Sequence, residues 1–259
     1  MLSQIRIKMK RINDFISFKV IPFLTGEMKK PDVFITNMNF LNWMHLKKSI
    51  FKSVPYISGK CADIGSGNSP YKQYIIDNID EYISIDKGNI HKHMFSSSKE
   101  KFIDADVKDL PFDENIFDTI LLTQVLEHIN EPFKALDEIK RVIKPNGILV
   151  LSVPFIYQAH ATPYDFFRFS EYGLKQICKD NNFEILEFHY QGYLGTTIFS
   201  IINGFIWELF SKKKWIRNTI GLPIILFIFS INNIIGFFLD KIKLKNYTPN
   251  FWLILRVNK

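Results

Sequence analysis

Cys61-Ala-Asp-Ile-Gly-Ser-Gly-Asn-Ser-Pro70 reads as a short strand with an acid near its end, then two glycines, then the start of a helical pattern. Glycines at such a junction let a ligand touch the backbone at the helix start. A dinucleotide fingerprint needs a third glycine at position 70, where Pro70 stands, so NAD and FAD are disfavoured. Asp63 argues the same way. A carboxylate aimed into the loop repels a pyrophosphate but suits a ligand carrying an ammonium or sulfonium. Asp86, about 20 residues on at the end of a second strand, is placed to take a ribose diol.

Working outward, short apolar runs alternate with helical patterns, as a parallel sheet with helices on both faces demands. Seven strands are expected at 60–64, 82–86, 101–104, 117–123, 147–153, 183–190 and 251–257. Helices are expected to start near Pro70, at about Val125 and at Glu131. The last runs to Ile143 and is stopped by Pro145-Asn146-Gly147. Ser170 is placed to cap a further helix through about Lys179. The strand ends 63–64, 86, 104–106 and 123–124 would converge on the crevice at the carboxyl edge of such a sheet, where open parallel sheets bind ligands.

Over residues 59–192 these elements resemble the class I S-adenosylmethionine-dependent methyltransferases, in particular the group with a Val-Leu-Glu-His segment after the fourth strand. The resemblance is carried by Asp63-Ile-Gly-Ser-Gly67, Asp86, Asp104-Ala-Asp-Val-Lys-Asp-Leu-Pro-Phe112, Phe117-Asp-Thr-Ile-Leu-Leu-Thr-Gln-Val-Leu-Glu-His128 and Arg141-Val-Ile-Lys-Pro-Asn-Gly147. It implies an α/β, Rossmann-like seven-stranded sheet and S-adenosyl-L-methionine as cofactor. The implied contacts are Asp63, Gly65, Ser66 and Gly67 around the methionine part, Asp86 on the ribose, Asp106 and Val107 at the adenine, and Thr123 and Gln124 at the exit of the fourth strand. Members often have a third glycine where Ser69 stands, a departure that would hold the loop slightly farther from the cofactor. Glu127 and His128 are expected to cap backbone groups and orient the cofactor loop.

After the fifth strand, Val153-Pro-Phe-Ile-Tyr-Gln-Ala-His-Ala-Thr-Pro-Tyr-Asp-Phe-Phe-Arg-Phe-Ser170 is too rich in aromatic and ionisable residues for a mere connection, and it lies where an acceptor would bind. Its His-x-x-Pro-x-Asp-x-x-Arg-x-Ser pattern resembles a feature of methyltransferases found among bacterial cell-surface glycan and lipopolysaccharide enzymes. Methyl transfer from a sulfonium releases a neutral thioether, so placement of the acceptor supplies most of the acceleration and a base need remove only one proton. His160 is the expected base, with Asp165 as its orienting partner or the alternative base. The structural alternative is an Asp165–Arg168 ion pair that holds the loop on the sheet.

The 259 residues allow one large domain or one domain with a sizeable appendage. Apolar residues make up 47% and charged residues 23%, which excludes a disordered chain or a fibrous repeat. Cys61 and Cys178 cannot build a disulfide framework and no zinc-type Cys/His spacing occurs, so a reducing, cytoplasmic setting without a metal is expected. The 33 basic residues against 26 acidic ones favour an anionic partner. The surplus falls largely within the first twenty residues and on the flanks of a C-terminal apolar stretch. Neither looks like the interleaved aromatic and basic ribbon that binds RNA, so no nucleic acid is expected.

Three segments follow: a helical segment 1–58, the methyltransferase domain 59–192 plus 247–259, and an apolar helical insert 193–246 between the last two strands. In the first, Leu2, Ile5, Met9, Ile12, Ile16 and Val20 recur at helical spacing with basic residues between them, ending at Pro22. That pattern suits a helix packed on the domain or one lying on a membrane surface, and its interrupting charges argue against a signal peptide. Asn39 to Phe51 reads as a second helix.

The insert holds Leu194-to-Phe210, the basic Lys212-Lys-Lys-Trp-Ile-Arg217, the uncharged Asn218-to-Leu239, then Lys241, Lys243 and Lys245. Since one sheet holds the strands on both sides, the insert crosses a membrane twice or not at all. Two crossings would export the basic loop, against the usual distribution of charge. Helices lying in the interface on anionic headgroups, peripheral or monotopic on the inner face, are expected; a soluble insert that covers the sheet or forms a dimer interface is the alternative. The whole reads as a methyltransferase that O-methylates a lipid-linked sugar or glycan precursor. A quinone or lipid acceptor, or a cofactor-binding regulatory protein without turnover, are the other readings.

Overall fold

A computed structural model describes residues 2–25, 32–88, 98–212 and 214–259, with the side chains of residues 2–8 and 214 excepted. Leu2, Ile5, Arg6 and Lys8 of the N-terminal pattern and Lys213 of the basic loop therefore lie outside the described side chains. The chain forms two compact units. One joins residues 1–47 to 192–248; the other joins 48–191 to 249–259. The sequence reading separated the first 58 residues from the insert, whereas most of both belong to the same unit.

In the second unit seven strands make one sheet: β1 (Lys60–Ile64), β2 (Glu81–Asp86), β3 (Glu100–Asp104), β4 (Phe117–Thr123), β5 (Ile143–Pro154), β6 (Phe183–Gln191) and β7 (Asn250–Val257). Their order is β3-β2-β1-β4-β5-β7-β6. β1 to β5 pair in parallel, while β7 runs antiparallel to both β5 and β6. The order reverses between β1 and β4, and that reversal opens a crevice at the carboxyl ends of the strands. The central strands are apolar on both faces: Ile120, Leu121 and Leu122 of β4, Leu149, Val150 and Leu151 of β5, and Leu253, Ile254 and Leu255 of β7 are all buried. The helix Pro132–Val142 buries Ala135, Leu136, Ile139 and Val142, the i, i+3, i+4 face its sequence predicts. Leu136, Ile139 and Val142 each contribute about 1.5–3 kcal/mol by leaving water.

Several boundaries differ from expectation. The helix near Pro70 is one turn, Lys72–Ile75, continued by a 3₁₀ turn Ile76–Asn78, and the element at Val125 is the 3₁₀ turn Leu126–His128. Pro145-Asn146-Gly147 does not stop the preceding helix, which ends at Val142 as Ile143 turns extended. The three residues instead form an irregularity inside β5, with Asn146 at φ 62° and the register with β4 passing from Phe117↔Ile143 to Thr119↔Ile148. Ser170 caps Glu171–Asp180 as predicted, its Oγ accepting from the N–H of Gly173.

In the first unit α1 (Leu2–Phe15) passes through a π-turn (Ile16–Val20) into α2 (Ile21–Thr25). Pro22 does not end the helical course. It stands in the first turn of α2, where its missing N–H costs nothing, and the wider π-turn before it makes room for its ring. The helix α3 (Phe40–Ser53) begins in this unit and continues into the next. Of the shorter helices already given, Lys72–Ile75 is α4, Pro132–Val142 α5 and Glu171–Asp180 α6. The insert supplies α7 (Leu194–Ser211), α8 (Lys214–Ile216) and α9 (Leu222–Leu239).

α7 and α9 lie antiparallel and touch at small residues: a Cβ on Gly195 would come within 2.1 Å of the Gly236 carbonyl oxygen. Beside the buried Ile225 and Phe229 of α9, their interior holds several polar side chains. Asn232 donates to Asn203 Oδ1 (2.8 Å), Asn42 to Ser200 Oγ (2.8 Å), and Asn233 to the carbonyls of Ile35 and Asn37 (2.6 and 2.9 Å). His45 Nε2 lies 3.0 Å from Asp240 Oδ2. The outward positions Ile198, Ile201, Phe205, Ile224, Phe227, Ile231 and Phe238 are exposed. This is the reverse of a helix in a water-soluble core. α1 and the π-turn after it are similar: Asn13 and Ser17 bond Asn218 and Arg217, while Met9 and Ile12 face out.

Candidate active site

β1 ends in Ile64 and the chain turns at Gly65 (φ 65°) and Gly67 (φ 51°). A Cβ on Gly65 would lie 2.4 Å from Val125 Cγ2, so both its backbone angle and its packing require glycine. The turn is held to β2 from three sides. Gly65 N–H and Ser66 N–H donate to the Ile85 carbonyl (2.8 and 3.2 Å), and Gly67 N–H donates to Asp86 Oδ2 (2.8 Å). Ser69, where related loops carry a third glycine, adopts the left-handed conformation at φ 47°. It takes up the glycine-like backbone without being glycine.

Beside this turn is a cavity of about 740 Å³, within the range of small-molecule sites. Ile64, Gly65, Ile85, Asp86, Asp106 and Val107 line it from the strand ends, and Lys87, Lys108, His128, Ile129, Tyr164 and Phe166 are among the other walls. Of the sequence-expected contacts, Gly65, Asp86, Asp106 and Val107 thus share one wall system. Asp86 Oδ1 and Oδ2 accept from the N–H groups of Lys87 (2.7 Å) and Gly67, which leaves a lone pair on each oxygen for a diol. Lys108 N–H and Lys87 Nζ reach Asp106 at 3.0 and 3.2 Å; against the opposing effect of burial they hold its pKa below the ordinary value.

The remaining expected contacts stand behind that wall. Asp63 is 2% exposed and accepts a hydrogen bond from Tyr82 OH. Burial raises its carboxyl pKa to about 7. Ser66 turns its hydroxyl to Ser84, and Gln124 Nε2 donates to Ser152 Oγ (2.7 Å). Thr123 is also buried. These side chains brace the glycine turn and the sheet.

The loop after β5 builds the other side. Arg168 grips Asp165 with two hydrogen bonds, Nη1 to Oδ1 at 2.6 Å and Nη2 to Oδ2 at 2.8 Å, and also donates to the carbonyls of Gln158 and Phe167. The guanidinium holds the Asp165 carboxyl well below the usual carboxylate range. A carboxylate so paired is a weak base, and its contact with His160 is to the backbone: His160 N–H donates to Asp165 Oδ2 at 2.9 Å, while the ring Nδ1 is 3.6 Å away. The loop-holding ion pair weighed as the alternative is formed. His160 does not line the cavity; its ring stands edge-on to that of His128, centroids 4.7 Å apart. Burial and His128 lower its pKa, which keeps the imidazole neutral at pH 7.

Glu127 sits beneath both imidazoles, fully buried, with Oε1 3.7 Å from His128 Nε2 and 3.9 Å from His160 Nε2. Neither carboxyl oxygen has a hydrogen-bond partner, and burial pushes the pKa up to about 8. Its backbone carbonyl accepts from Phe166 and Phe167, tying the loop to the turn after β4. Of the two side chains expected to bond backbone groups, Glu127 does not and His128 does. His128 Nδ1–H donates to the Tyr164 carbonyl at 2.6 Å, and its Nε2 is therefore the bare nitrogen.

Residues 62–151 match the methyltransferase domain family. The turn, the Asp86 wall and strands β1 to β5 lie within or border that match. Residues 62–151 are a class I S-adenosylmethionine-dependent methyltransferase domain. Its sheet is shared with solved structures: the [4+2]-cyclase SpnF (20% identity, TM-score 0.58, covering 83% of this chain and 81% of that one) and the MccD protein (12%, TM-score 0.56, covering 82% and 97%). At such identities the likeness shows the fold, and one of the two names a cyclase. A demethylmenaquinone methyltransferase of Clavibacter sepedonicus is 38% identical over 60 residues, 23% of this chain and 24% of that protein. A ubiquinone/menaquinone biosynthesis C-methyltransferase of Neisseria meningitidis is 26% identical over 152 residues, 54% of this chain and 58% of that protein. The chain thus spans about a quarter of the first of these relatives and under two thirds of the second.

S-adenosylmethionine is the cofactor of the methyltransferase domain, and the residues present fit it. Asp86 offers two acceptors for the ribose hydroxyls, Ile85, Ala105 and Val107 offer apolar surface for the base, and Gly65 lets the backbone come close. Lys87, Lys108, Tyr164 and Phe166 were not expected as wall residues. The last two lie in the loop already marked for an acceptor; the lysines could have been found only as neighbours of the two acids.

Proposed function

We propose that the chain transfers the methyl group of S-adenosylmethionine to a hydroxyl of a lipid-linked sugar or related glycan precursor at the cytoplasmic face of a membrane. The observation that carries methyl transfer is a single cavity that brings Asp86 and Asp106 together with the imidazole of His128. The bound cofactor supplies an electrophilic methyl on a sulfonium. Asp86 and the glycine turn fix its position, and the loop after β5, clamped by Asp165 and Arg168, fixes the acceptor side. A hydroxyl that is methylated must lose its proton, and the Glu127–His128–His160 cluster stands beside the cavity where that proton leaves.

A membrane-held acceptor is supported by the first unit. Leu194–Ser211 and Arg217–Ile242 are each long and apolar enough to cross a membrane, yet only 28% of each apolar window is buried. An outward apolar face with flanking Lys212, Lys241, Lys243 and Lys245 suits helices lying in an anionic interface.

A second reading, methylation of a quinone, is favoured by the names of the relatives above. The family match ends at residue 151, before the acceptor loop, so the acceptor does not follow from it. Mass spectrometry of lipid-linked glycans and quinones from cells with and without the protein separates the readings. A methyl mass difference in the glycans supports the first, one in the quinones supports the second, and none in either removes both.

A further inference from the structure

We infer that Glu127, His128 and His160 form a binding site for a divalent transition-metal cation of the zinc class. One ligand atom from each lies within 4.8 Å of the other two, and Glu127 Oε1 is 3.7 and 3.9 Å from the two Nε2 atoms. Ligands about 2.0–2.1 Å from a tetrahedral zinc ion stand roughly 3.3–3.4 Å apart, so closure shortens these separations by a few tenths of an ångström to about 1.5 Å. Two imidazoles and one carboxylate are a donor set that zinc and its neighbours take, with a coordination position left open.

Two independent features point at a ligand. The first is Glu127 itself: fully buried, aimed at the imidazoles, and without a hydrogen bond to either oxygen. Ionised, it lacks a counter-charge of its own, since both Arg168 terminal nitrogens are engaged by Asp165; protonated, it still has an unused donor and acceptor. A cation satisfies the carboxylate. The second is the orientation of the rings. His128 Nδ1–H is fixed on the Tyr164 carbonyl. His160 Nδ1 faces the Gln158 carbonyl at 3.3 Å and Arg168 Nη2 at 3.4 Å. The two hydrogens of that Nη2 go to its shorter contacts, Asp165 Oδ2 and the Gln158 carbonyl, at 2.8 and 3.1 Å, so His160 Nδ1 carries the hydrogen. Both rings then present bare Nε2 atoms to Glu127, the arrangement that carbonyl-anchored metal-ligating histidines adopt.

Because the ligands are 32 residues apart and two of them are adjacent, no zinc-type spacing shows in the sequence. His128 also lines the cofactor cavity, so the site borders it. The role of the ion, though not its binding, rests on the proposed methyl transfer. A coordinated hydroxyl is more acidic, its proton leaves to solvent, the oxygen–methyl bond forms as the sulfur–methyl bond breaks, and a neutral thioether departs. The two imidazoles then serve as ligands and not as bases.

The test uses the full-length protein freed of metal with a chelator and titrated with Co2+ alone. We expect one equivalent to bind with the visible absorption of a low-coordinate nitrogen and oxygen site. Glu127→Gln and, on the half-buried side, His160→Ala should each weaken binding by about 100-fold or more, beyond the roughly 10–100-fold typical of losing a supporting contact. Binding of S-adenosylhomocysteine, measured alongside, reports that each variant is folded. Wild-type protein that gives no such absorption, or His160→Ala protein that binds Co2+ as wild type does, overturns the site. Loss of S-adenosylhomocysteine binding by the wild type would count against the proposed function and leave the cation result standing.

Discussion

The N–H of Gly67 donates to Asp86 Oδ2 at 2.8 Å, so the acid that ends β2 also closes the turn that follows β1. Asp86 thereby couples two parts of one binding wall. Replacing it with Ala removes both the acceptor for the ribose and the anchor of the turn. Calorimetry with S-adenosylhomocysteine should show a loss of about 1.5–3 kcal/mol, the range for hydrogen bonds to a charged group. Asp86→Asn keeps one acceptor for Gly67 and should lose less. Equal affinities for wild type and the Ala variant would remove Asp86 from the cofactor wall.

Asp63 gives the methyltransferase domain a pH dependence opposite to that of most carboxylates. Burial moves its pKa from an ordinary 3.8 to about 7. The folded state therefore binds this proton more tightly than the unfolded chain. Its contribution is full below about pH 4, declines as pH rises, and is lost above about pH 7, at ~1.4 kcal/mol per pH unit between the two values. Asp63→Asn still accepts from Tyr82 OH and cannot ionise. Denaturation of the wild type at about pH 5 and pH 8 should show falling stability, and the variant should show a flatter profile. Parallel profiles would mean that Asp63 is not the group responsible.

The sheet was legible because most strands announce themselves locally: an apolar run in β4, β5 and β7, and an acid or glycine at the carboxyl end of β1, β2, β3 and β6. Asp86, Asp106 and Gly65 follow from that logic, since strand ends at a topological switch point converge whatever the side chains are. What side chains do after arriving there was less legible. Asp63 and Gln124 occupy strand-end positions but turn toward Tyr82 and Ser152, a choice made by neighbours about 20 to 30 residues away. Glu127 and His160 meet only because the loop after β5 folds back onto the Glu127 carbonyl. Asn232 and Asn233 bond Asn203 and the backbone before α3, a partnership visible only once the helices are paired.

Asp165 and Arg168 make His160 a residue placed by its backbone. His160→Ala should lower turnover by about 100-fold or more with S-adenosylhomocysteine affinity nearly intact, as expected when only the acceptor side of the site is damaged. Arg168→Lys cannot make the two-pronged grip on Asp165 and should raise KM for the acceptor, since Lys offers a point charge where the loop needs a fork. Normal turnover in His160→Ala would take the cluster out of the reaction, and an unchanged KM in Arg168→Lys would make the ion pair incidental to the acceptor.

The membrane prediction turns on which residues of the first unit meet lipid. Ile198, Ile201 and Phe205 on α7, and Ile224, Phe227, Ile231 and Phe238 on α9, form outward faces, while Asn203 and Asn233 are among the buried residues. In-plane helices should make the protein sediment with anionic vesicles and release only in part at high salt, because screening weakens the lysines while the apolar faces stay buried. Cys61 and Cys178 are free and buried, so single Cys labels can be read against a quiet background. Placed at Lys212 and at Lys241 in sealed inverted vesicles and treated with an impermeant thiol reagent, both labels should react from the cytoplasmic side. Protection at 212 with reaction at 241 would establish a two-crossing hairpin instead: each 18-residue helix is about 27 Å long at 1.5 Å per residue, against a hydrocarbon core of about 30 Å. A protein that stays in the supernatant without detergent would remove the membrane and leave the exposed faces to a protein partner.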